Sequence, residues 1–306
     1  MRLLSLSRNY SNFLAGFIGL CTTVTVMQAQ ADENLFGYIK GAEPLPQNAN
    51  ELYGYATHRW DKGAGTYRAT DYQIEYERGV THRFSAGFAF KAQGIRINDL
   101  LIDAYIPKNE RYAFKPSGIE ASAKYAFLTP ALDDIGLASY MSLDYNWLDP
   151  HSGQRKNTYS LDYKLLAQKY LMDGQLVLAG NLGVETTYAH RKAVSPLPEN
   201  YEWPTEPEME IEFMSGFGVS YRFAPNWSVG YEVFYQTEFE TEVGTERWSV
   251  QGGPSLHYAD RRWWATLTWL PQLVGGGERF PEQNDRNLHL IEKTKNELRL
   301  KIGYNF

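Results

Sequence analysis

The chain has 306 residues, a formal net charge of -6 at pH 7, and aromatic side chains at 15% of its positions. This acidic balance argues against nucleic acid as a partner, because binding to phosphates depends on clustered lysine and arginine. The single cysteine, Cys21, lies near the N-terminus, so we expect neither a disulfide nor a cysteine metal site in the rest of the chain.

Residues 1–31 have the pattern of a secretory signal peptide. Arg2 and Arg8 precede an apolar stretch over 13–27, and the small residues Ala29 and Ala31 precede the expected cleavage site. A retained membrane anchor is the alternative, but the stretch is shorter than the about 20 apolar residues that a spanning helix needs. We therefore predict export, with cleavage after Ala31.

Residues 32–49 contain Pro44, Pro46 and several small polar residues, and they lack the alternation of a regular strand. Two interpretations stay open for them: a periplasmic lead-in, which the composition favours, or a short plug in the mouth of a barrel. Residues 50–306 then make up a single domain, because no internal repeat and no low-complexity tract interrupts them.

From residue 50 onward, apolar and polar residues alternate in about twelve segments that are bounded by turn residues. The predicted strands are 50–60, 66–78, 81–95, 115–128, 136–147, 157–170, 175–190, 207–223, 227–239, 246–259, 262–273 and 293–306. None of this sequence is apolar and long enough for a transmembrane helix. A search for long apolar segments does not detect alternating strands, because the mean hydropathy of each such strand is near neutral.

The connections between these segments alternate between tight turns and longer loops that are rich in charge, glycine and proline. The longer connections are 61–65, 96–114, 148–156, 191–206, 240–245 and 274–292. Short periplasmic turns and long extracellular loops are typical of a transmembrane barrel, whereas a soluble sandwich gives no reason for the alternation. We therefore predict an all-β fold: a single transmembrane antiparallel up-and-down β-barrel of about 12 strands, with both termini in the periplasm.

The last segment has the pattern of a barrel-closing strand. The apolar or aromatic residues of its outer face are Leu298, Leu300, Ile302, Tyr304 and Phe306. This ending resembles the C-terminal assembly signal of bacterial outer-membrane proteins, although Lys301 replaces the glycine that usually lies five residues before the final aromatic. We therefore expect the barrel assembly machinery to recognise the C-terminal strand that ends at Phe306.

Charged side chains recur on one face of the predicted strands, opposite the apolar face. A charged side chain near the bilayer centre costs ~2–4 kcal/mol, so this face must line the barrel interior. The predicted lumen-lining residues are Asp71, Glu75, Glu77, Lys91, Glu120, Lys124, Asp144, Asp162, Lys164, Glu185, Glu208, Glu210, Glu212, Arg222, Glu232, Arg247, Glu297, Arg299 and Lys301. They predict either a water-filled or gated passage whose acidic excess favours cations or polar solutes, or a closed interior filled by a paired network.

Two local patterns carry weaker chemical signals. Asp149, His151 and Ser152 are the candidate residues of a barrel hydrolase, but Asp-Pro-His-Ser-Gly is also an ordinary turn sequence and a triad is defined by its geometry. The acidic segment 237–246 offers oxygen ligands for Ca²⁺, but its spacing is not that of a calcium loop. The other histidines are scattered singly. We expect no enzyme activity, no cofactor and no metal site.

Four stretches carry a resemblance to a known group of proteins: 35–43 (LFGYIKGAE), 147–153 (WLDPHSG), 221–227 (YRFAPNW) and 263–269 (WWATLTW). With them, residues 32–306 resemble a family of uncharacterised proteobacterial outer-membrane barrels, a domain-of-unknown-function family. The resemblance implies a barrel fold and a bacterial outer-membrane location. It brings no substrate and no catalytic residues.

These patterns favour an outer-membrane channel or transporter for small polar or ionic solutes, which is exported by its signal peptide and surrounded by outer-membrane lipid. A closed barrel that binds a partner through its loops, or that strengthens the envelope, is the alternative. A barrel hydrolase that acts at the outer rim is the least favoured hypothesis, because it depends on the local pattern at 149–152 alone.

Overall fold

The computed structural model describes residues 34–101, 109–193, 205–240, 244–280 and 282–306. The predicted signal peptide lies outside the described residues, within which all regular structure is β-strand. No helix in this part of the chain has the length and apolar character to cross a membrane. The strands are β1 (Asn50–Trp60), β2 (Ala64–Gly79), β3 (Phe84–Leu101), β4 (Glu110–Leu128), β5 (Gly136–Asn146), β6 (Lys156–Leu171), β7 (Leu176–Arg191), β8 (Glu208–Ala224), β9 (Trp227–Glu240), β10 (Gly244–Ala259), β11 (Trp263–Trp269), β12 (Gln272–Gly277) and β13 (Asn296–Asn305).

The strands form one antiparallel sheet that closes on itself. Each strand from β1 to β10 pairs with the next one along the chain, and β13 pairs with β1 from Glu51–Asn305 to Trp60–Asn296. The other edge of β13 pairs with β11, which completes the ring. The result is a closed 12-strand barrel with one extra strand, so the predicted all-β antiparallel barrel is confirmed. The periplasmic position of both termini stays a prediction.

The extra strand arises because one predicted strand is divided. The segment 262–273 is expected to form a single strand, but β11 ends at Trp269 and β12 begins at Gln272. Pro271 lies between them, and a proline cannot donate a hydrogen bond to the sheet ladder. Both halves pair with β10. Strand β11 pairs near the C-terminal end of β10, and strand β12 pairs near the N-terminal end of β10.

The chain between β12 and β13 packs against the divided strand. The Gly275 amide donates to the Asn287 carbonyl at 2.7 Å, and the Gly63 amide donates to the Leu290 carbonyl at 2.9 Å. These contacts place residues 287–295 in the gap between β12 and β1. As a result, β13 begins at Asn296, three residues later than the predicted strand.

The two faces of the barrel differ as the alternation predicts. Outward side chains such as Ile74, Phe90 and Leu143 are apolar and exposed, whereas inward side chains are mostly polar and buried. An apolar exterior around a polar interior is the arrangement of a membrane barrel. We call the end that carries Asn50 and Phe306 the terminus end, and the opposite end, where the longer connections lie, the loop end.

Residues 34–46, which we call the inner segment, lie inside the barrel. Phe36 and Ile39 are each 2% exposed and pack on a cluster that includes Val177 of β7 and Phe234 of β9. Ala42 packs in the same way on inward residues of β4, β5 and β6. The inner segment therefore contacts the inner wall through apolar side chains, and the choice between a periplasmic lead-in and a plug stays a prediction.

Gly253 on β10 permits the close approach of the divided strand. A Cβ added at Gly253 would lie 1.9 Å from the carbonyl oxygen of Trp269, which no side chain tolerates. We expect Gly253→Ala to destabilise the barrel by about 1–3 kcal/mol, the usual effect of overpacking, and to lower the urea midpoint of unfolding. Gly180→Ala is the matched control, since the nearest atom to its added Cβ is the Gly216 carbonyl oxygen at 3.8 Å. Equal midpoints for the two variants would contradict this interpretation.

Candidate functional site

The barrel interior collects the predicted lumen-lining residues. Each of them, from Asp71 on β2 to Lys301 on β13, is buried or partly buried in the structure. Most belong to one of three groups: contacts to the inner segment, the wall of a polar cavity, and ion pairs at the loop end. Arg222 lies apart from these groups, near the terminus end of β8.

Glu232 on β9 is the centre of the first group. Its carboxylate is fully buried and accepts the amide hydrogens of Gly37 and Tyr38 at 2.8 Å and of Ile39 at 3.1 Å. The Thr268 hydroxyl donates a further hydrogen bond at 3.0 Å. A buried carboxylate needs compensation of its charge, and successive amides that point at one anion supply it. Glu232 thereby holds the inner segment in the lumen.

Polar side chains on neighbouring strands hold the rest of the inner segment. The Asn181 side chain on β7 accepts from the Lys40 amide and donates to the Lys40 carbonyl, both at 2.8 Å. Gln168 on β6 accepts from the Ala42 amide at 2.7 Å. Asn181 and Gln168 are not among the predicted lumen-lining residues, which were restricted to charged side chains. Their inward position nevertheless follows from the alternation of their strands.

Residues of β13 complete this group. The Arg299 guanidinium donates to the Gly37 carbonyl at 3.0 Å and lies 3.8 Å from the centroid of the Tyr38 ring. The Tyr38 hydroxyl in turn donates to Glu297 at 2.7 Å. Burial, followed by the charge of Glu297, raises the pKa of the Tyr38 hydroxyl well above its ordinary value. The hydroxyl therefore keeps its proton and remains a donor. Lys301 donates to the Asn34 side chain at 2.7 Å.

A polar cavity of about 340 Å³ lies beside the inner segment. On one side of it, Lys91 bridges Glu120, at 2.8 Å, and Asp144. On the neighbouring strand, Lys164 pairs with Asp162. The cavity is therefore lined by paired charges of strands β3 to β6, and it has the polarity of a water-filled space rather than of an apolar pocket.

Four carboxylates form a continuous row across the inner wall. Asp162, Glu185, Glu212 and Glu238 lie directly opposite one another on the successive strands β6 to β9. Like charges in directly opposed positions destabilise a sheet. Arg247 on β10 compensates the last two members, with a contact to Glu212 at 3.0 Å and an ion pair with Glu238. The row thus brings four carboxylates side by side, and Lys164, Arg247 and Lys293 supply opposing charges to three of them.

The loop end carries a cluster of ion pairs that we call the loop-end lock, made of Glu212, Glu238, Arg247, Glu292 and Lys293. Arg247 pairs with Glu292, and Lys293 lies 3.7 Å from Glu212, so the segment after β12 is tied to β8, β9 and β10. Burial alone would raise the pKa of the Glu292 carboxyl, but the combined positive charges of Arg247, Lys62 and Lys156 outweigh it and lower that pKa to about 2. Glu292 therefore stays ionised in the lock.

Two further sets of ion pairs lie at the loop end. On β6 and β8, Lys156 contacts Glu210 at 3.1 Å and Glu208 at 3.7 Å. On β1 and β2, Arg59 donates two hydrogen bonds to Asp71, at 2.6 and 2.9 Å. The Arg59–Asp71 pair joins the neighbouring strands β1 and β2, and Lys156 joins β6 to β8, two strands away. These ion pairs therefore link strands along the wall rather than cross the lumen.

The candidate hydrolase residues form a turn. Asp149 accepts the Ser152 hydroxyl at 2.6 Å and the His151 amide at 2.9 Å, and the Pro150 carbonyl accepts from Arg59 at 2.7 Å. The Ser152 proton is thus directed at Asp149 and not at a histidine nitrogen, which is where a general base would have to take it. The segment has the geometry of a side-chain-capped turn that is anchored to the barrel wall.

The acidic segment that was considered for Ca²⁺ reaches the loop-end lock. Glu238, Glu246 and Glu292 bring carboxylate oxygens within 4.8 Å of one another. Arg247 pairs with two of these three carboxylates. A metal ion would have to displace this guanidinium, which already supplies the positive charge.

A closed antiparallel barrel with an apolar exterior and a charged lumen defines the class of outer-membrane β-barrels, and comparison with known proteins agrees with it. Residues 28–306 match the model of a family of unknown function, DUF6662, and the chain belongs to that family. The resemblance to an uncharacterised outer-membrane barrel family is thereby confirmed. A search of curated proteins gives no match.

Two solved structures of outer-membrane barrels share the fold. The COG4313 outer membrane channel from Pseudomonas putida F1 has a TM-score of 0.56 and 13% sequence identity, over 87% of this chain and 98% of that one. The beta domain of the Bordetella autotransporter BrkA has a TM-score of 0.52 and 11% identity, over 85% of this chain and 100% of that one. At such identities the likeness concerns the fold alone.

His289 lies in the segment after β12 and is 1% exposed. Its amide donates to the Gln272 side chain at 2.6 Å, and its Nε2 accepts from the Glu292 amide at 3.3 Å. Burial, followed by the nearby Arg247 guanidinium, lowers the pKa of the imidazole to about 4. The neutral imidazole is therefore the form that fits this segment against the barrel.

Acidification should loosen the segment that carries His289. The pKa of this imidazole is about 4 in the packed segment and about 6.5 in a released one. The free energy that favours the packed state is therefore fully present above pH 6.5. It falls by up to about 1.4 kcal/mol per pH unit as the pH decreases towards 4. Glu292 stays charged throughout this interval, because its pKa is about 2.

A spin label at the exposed position Arg286 measures this effect. In a Cys21→Ser background, Arg286→Cys gives a single labelling site, and the label should gain mobility between pH 6.5 and 4. His289→Gln, which does not titrate, should reduce the pH response. An identical response with and without His289 would show that another group controls the segment.

Proposed function

We propose that this protein is a gated channel of the bacterial outer membrane for small polar or ionic solutes, with the inner segment as the plug of its closed state. The main support is that the inner segment is attached to the wall largely by hydrogen bonds, centred on Glu232. Such bonds exchange with bonds to water at a net difference of only about 0.5–1.5 kcal/mol each. A segment held in this way can leave a hydrated lumen, whereas a segment fused into a continuous apolar core cannot.

The charge of the wall supports a preference for cations or neutral polar solutes. Acidic residues outnumber basic ones among the lumen-lining residues, and the row from Asp162 to Glu238 presents carboxylates side by side. Rings of one charge set the selectivity of a pore. With both termini in the periplasm, as the signal peptide and the final strand favour, the plug enters the barrel from the periplasmic side.

A closed barrel is the second candidate, and the loop-end lock supports it. Arg247 joins two strands to the segment after β12 through three carboxylates. A lumen that is sealed at the loop end by such a cluster, and filled by the inner segment at the other end, could serve as a rigid element of the envelope. Conductance separates the two candidates, because a barrel that never opens carries no current.

A reversible cross-link between plug and wall tests the channel. A Cβ built on Gly37 lies 2.8 Å from the Thr268 Cβ, and a disulfide needs a separation of about 3.8 Å, which a small shift of the inner segment provides. In a Cys21→Ser background, the double variant Gly37→Cys/Thr268→Cys should lose its conductance in planar bilayers when oxidised. Reduction should restore openings, because only the disulfide holds the plug.

The single variant Gly37→Cys is the control, since it should respond to neither oxidant nor reductant. Equal conductance of the oxidised and reduced double variant, with the disulfide verified by mass spectrometry, would show that the inner segment is not the gate. Absence of current from wild-type and reduced protein at every voltage and pH would contradict the channel and support the closed barrel.

A further inference from the structure

The wall of the lumen contacts the inner segment mainly through the main chain of that segment. Wall side chains accept the amide hydrogens of residues 37, 38, 39, 40 and 42. Other wall groups donate to the carbonyls of residues 34, 37, 40 and 43. The wall residues that make these contacts are Glu232, Asn181, Gln168, Thr266, Arg299 and Lys124.

Main-chain amides and carbonyls are common to every peptide, so these contacts recognise a peptide backbone rather than one particular sequence. Asn181 shows this most clearly, because its side chain bonds to both the amide and the carbonyl of Lys40. A neighbouring β-strand makes the same pair of contacts when it binds an extended peptide. The wall therefore has the chemistry of a peptide-binding groove.

The main acceptor of this wall, Glu232, is oriented in part by a wall residue rather than by the inner segment. The Thr268 hydroxyl holds one oxygen of the Glu232 carboxylate at 3.0 Å. Polar groups that are fixed in advance lower the ordering cost of binding a ligand.

Two recesses beside these polar groups receive apolar side chains. The Phe36 ring comes within 2.7 Å of the place where a Cβ on Gly218 would lie, and Ile39 comes within 2.3 Å of the corresponding place on Gly216. The recesses therefore exist because β8 carries glycine at both inward positions. Phe234 packs against the cluster that these two side chains enter. A peptide with apolar residues three positions apart fits both recesses.

We propose that this wall is a binding site for short peptides, which the inner segment occupies within its own chain, and that peptides with apolar residues three positions apart are the solutes of the channel. The inference rests on the proposed function, because a peptide reaches the wall only after the inner segment has left it. Glu232, Asn181 and Gln168 bind the peptide amides, and the recesses at Gly216 and Gly218 select apolar side chains.

An exchange experiment on folded protein tests the site. A protease site inserted between Gln47 and Asn48, in an exposed turn, lets the barrel fold with its chain intact and then separates the inner segment from β1. A fluorescent peptide with the sequence of residues 34–46 should then bind in exchange for the cut segment, measured by anisotropy. A variant without residues 34–46 is the second preparation, in which no cut segment competes.

The same peptide with methylated amides at positions 37, 39 and 42 is the decisive control. It keeps every side chain but lacks three donors to the wall, so we expect its affinity to be about 100-fold lower. Asn181→Ala should weaken binding of the parent peptide by about tenfold. Ser249→Ala, on β10, should leave the affinity unchanged, because the buried Ser249 hydroxyl makes no hydrogen bond to the described residues.

The outcomes separate this site from the proposed function. Equal affinity of the methylated and parent peptides, or equal effects of Asn181→Ala and Ser249→Ala, would overturn the peptide site. If the cut protein conducts and the peptide neither binds nor blocks the current, the peptide site is wrong and the channel stands. If the peptide binds as expected and no preparation conducts, the site stands and the channel is wrong.

Discussion

The buried charge of Glu232 is the constraint on which the interior of this barrel depends. A carboxylate that is removed from water needs donors that converge on it, and here they are successive amides of the inner segment. Successive amides of a β-strand point in opposite directions, so no strand could supply them. The chain bends over residues 35–38 because its amides converge on one acceptor. The bend of the inner segment and the charge of Glu232 thus compensate each other, and contacts to neighbouring strands hold the rest of the segment.

Two groups of contacts inside the barrel depend on different chemistry. Towards the terminus end, the inner segment is held by hydrogen bonds to main-chain atoms, and its Lys40 ammonium lies 4.2 Å from the centroid of the Tyr140 ring on β5. At the loop end, side-chain ion pairs around Arg247 tie the segment after β12 to the wall. The segment after β12 also carries His289, which titrates near neutral pH when released, whereas the inner segment contains no histidine.

The period-two alternation predicted the strands well wherever a strand is continuous. β5 and β9 begin at the predicted residues and end within one residue of the predicted ends. The alternation could not show the division at Pro271, because apolar residues continue on both sides of it. It also extended the last strand over residues 293–295, which pack beside β12 instead. Sequence periodicity reports which face a residue occupies, but not where a ladder is interrupted.

The candidate site was predictable only in part, because sequence periodicity shows which face of a strand a residue occupies and nothing about its partners. Alternation identified Glu232 and Arg247 as inward residues, because each lies on a regular strand. It could not identify their partners. Glu232 binds residues that are 193 to 195 positions away along the chain, in a segment without periodicity. Glu292 likewise lies in a loop. Contacts between a regular wall and irregular segments depend on tertiary placement, which no local pattern encodes.

The energetics of the inner segment argue for reversible closure. Ordering a residue costs about 1–2 kcal/mol of backbone entropy, and one hydrogen bond returns about 0.5–1.5 kcal/mol, so the bonds to residues 37–43 roughly offset the cost of ordering them. The balance then depends on burial of Phe36 and Ile39, each worth about 1.5–3 kcal/mol. Both side chains enter recesses that glycines leave open on β8. A ligand that offers the same backbone contacts and two apolar side chains can compete with the segment for the wall, whereas a simple ion cannot, since it leaves the wall acceptors and both recesses unfilled.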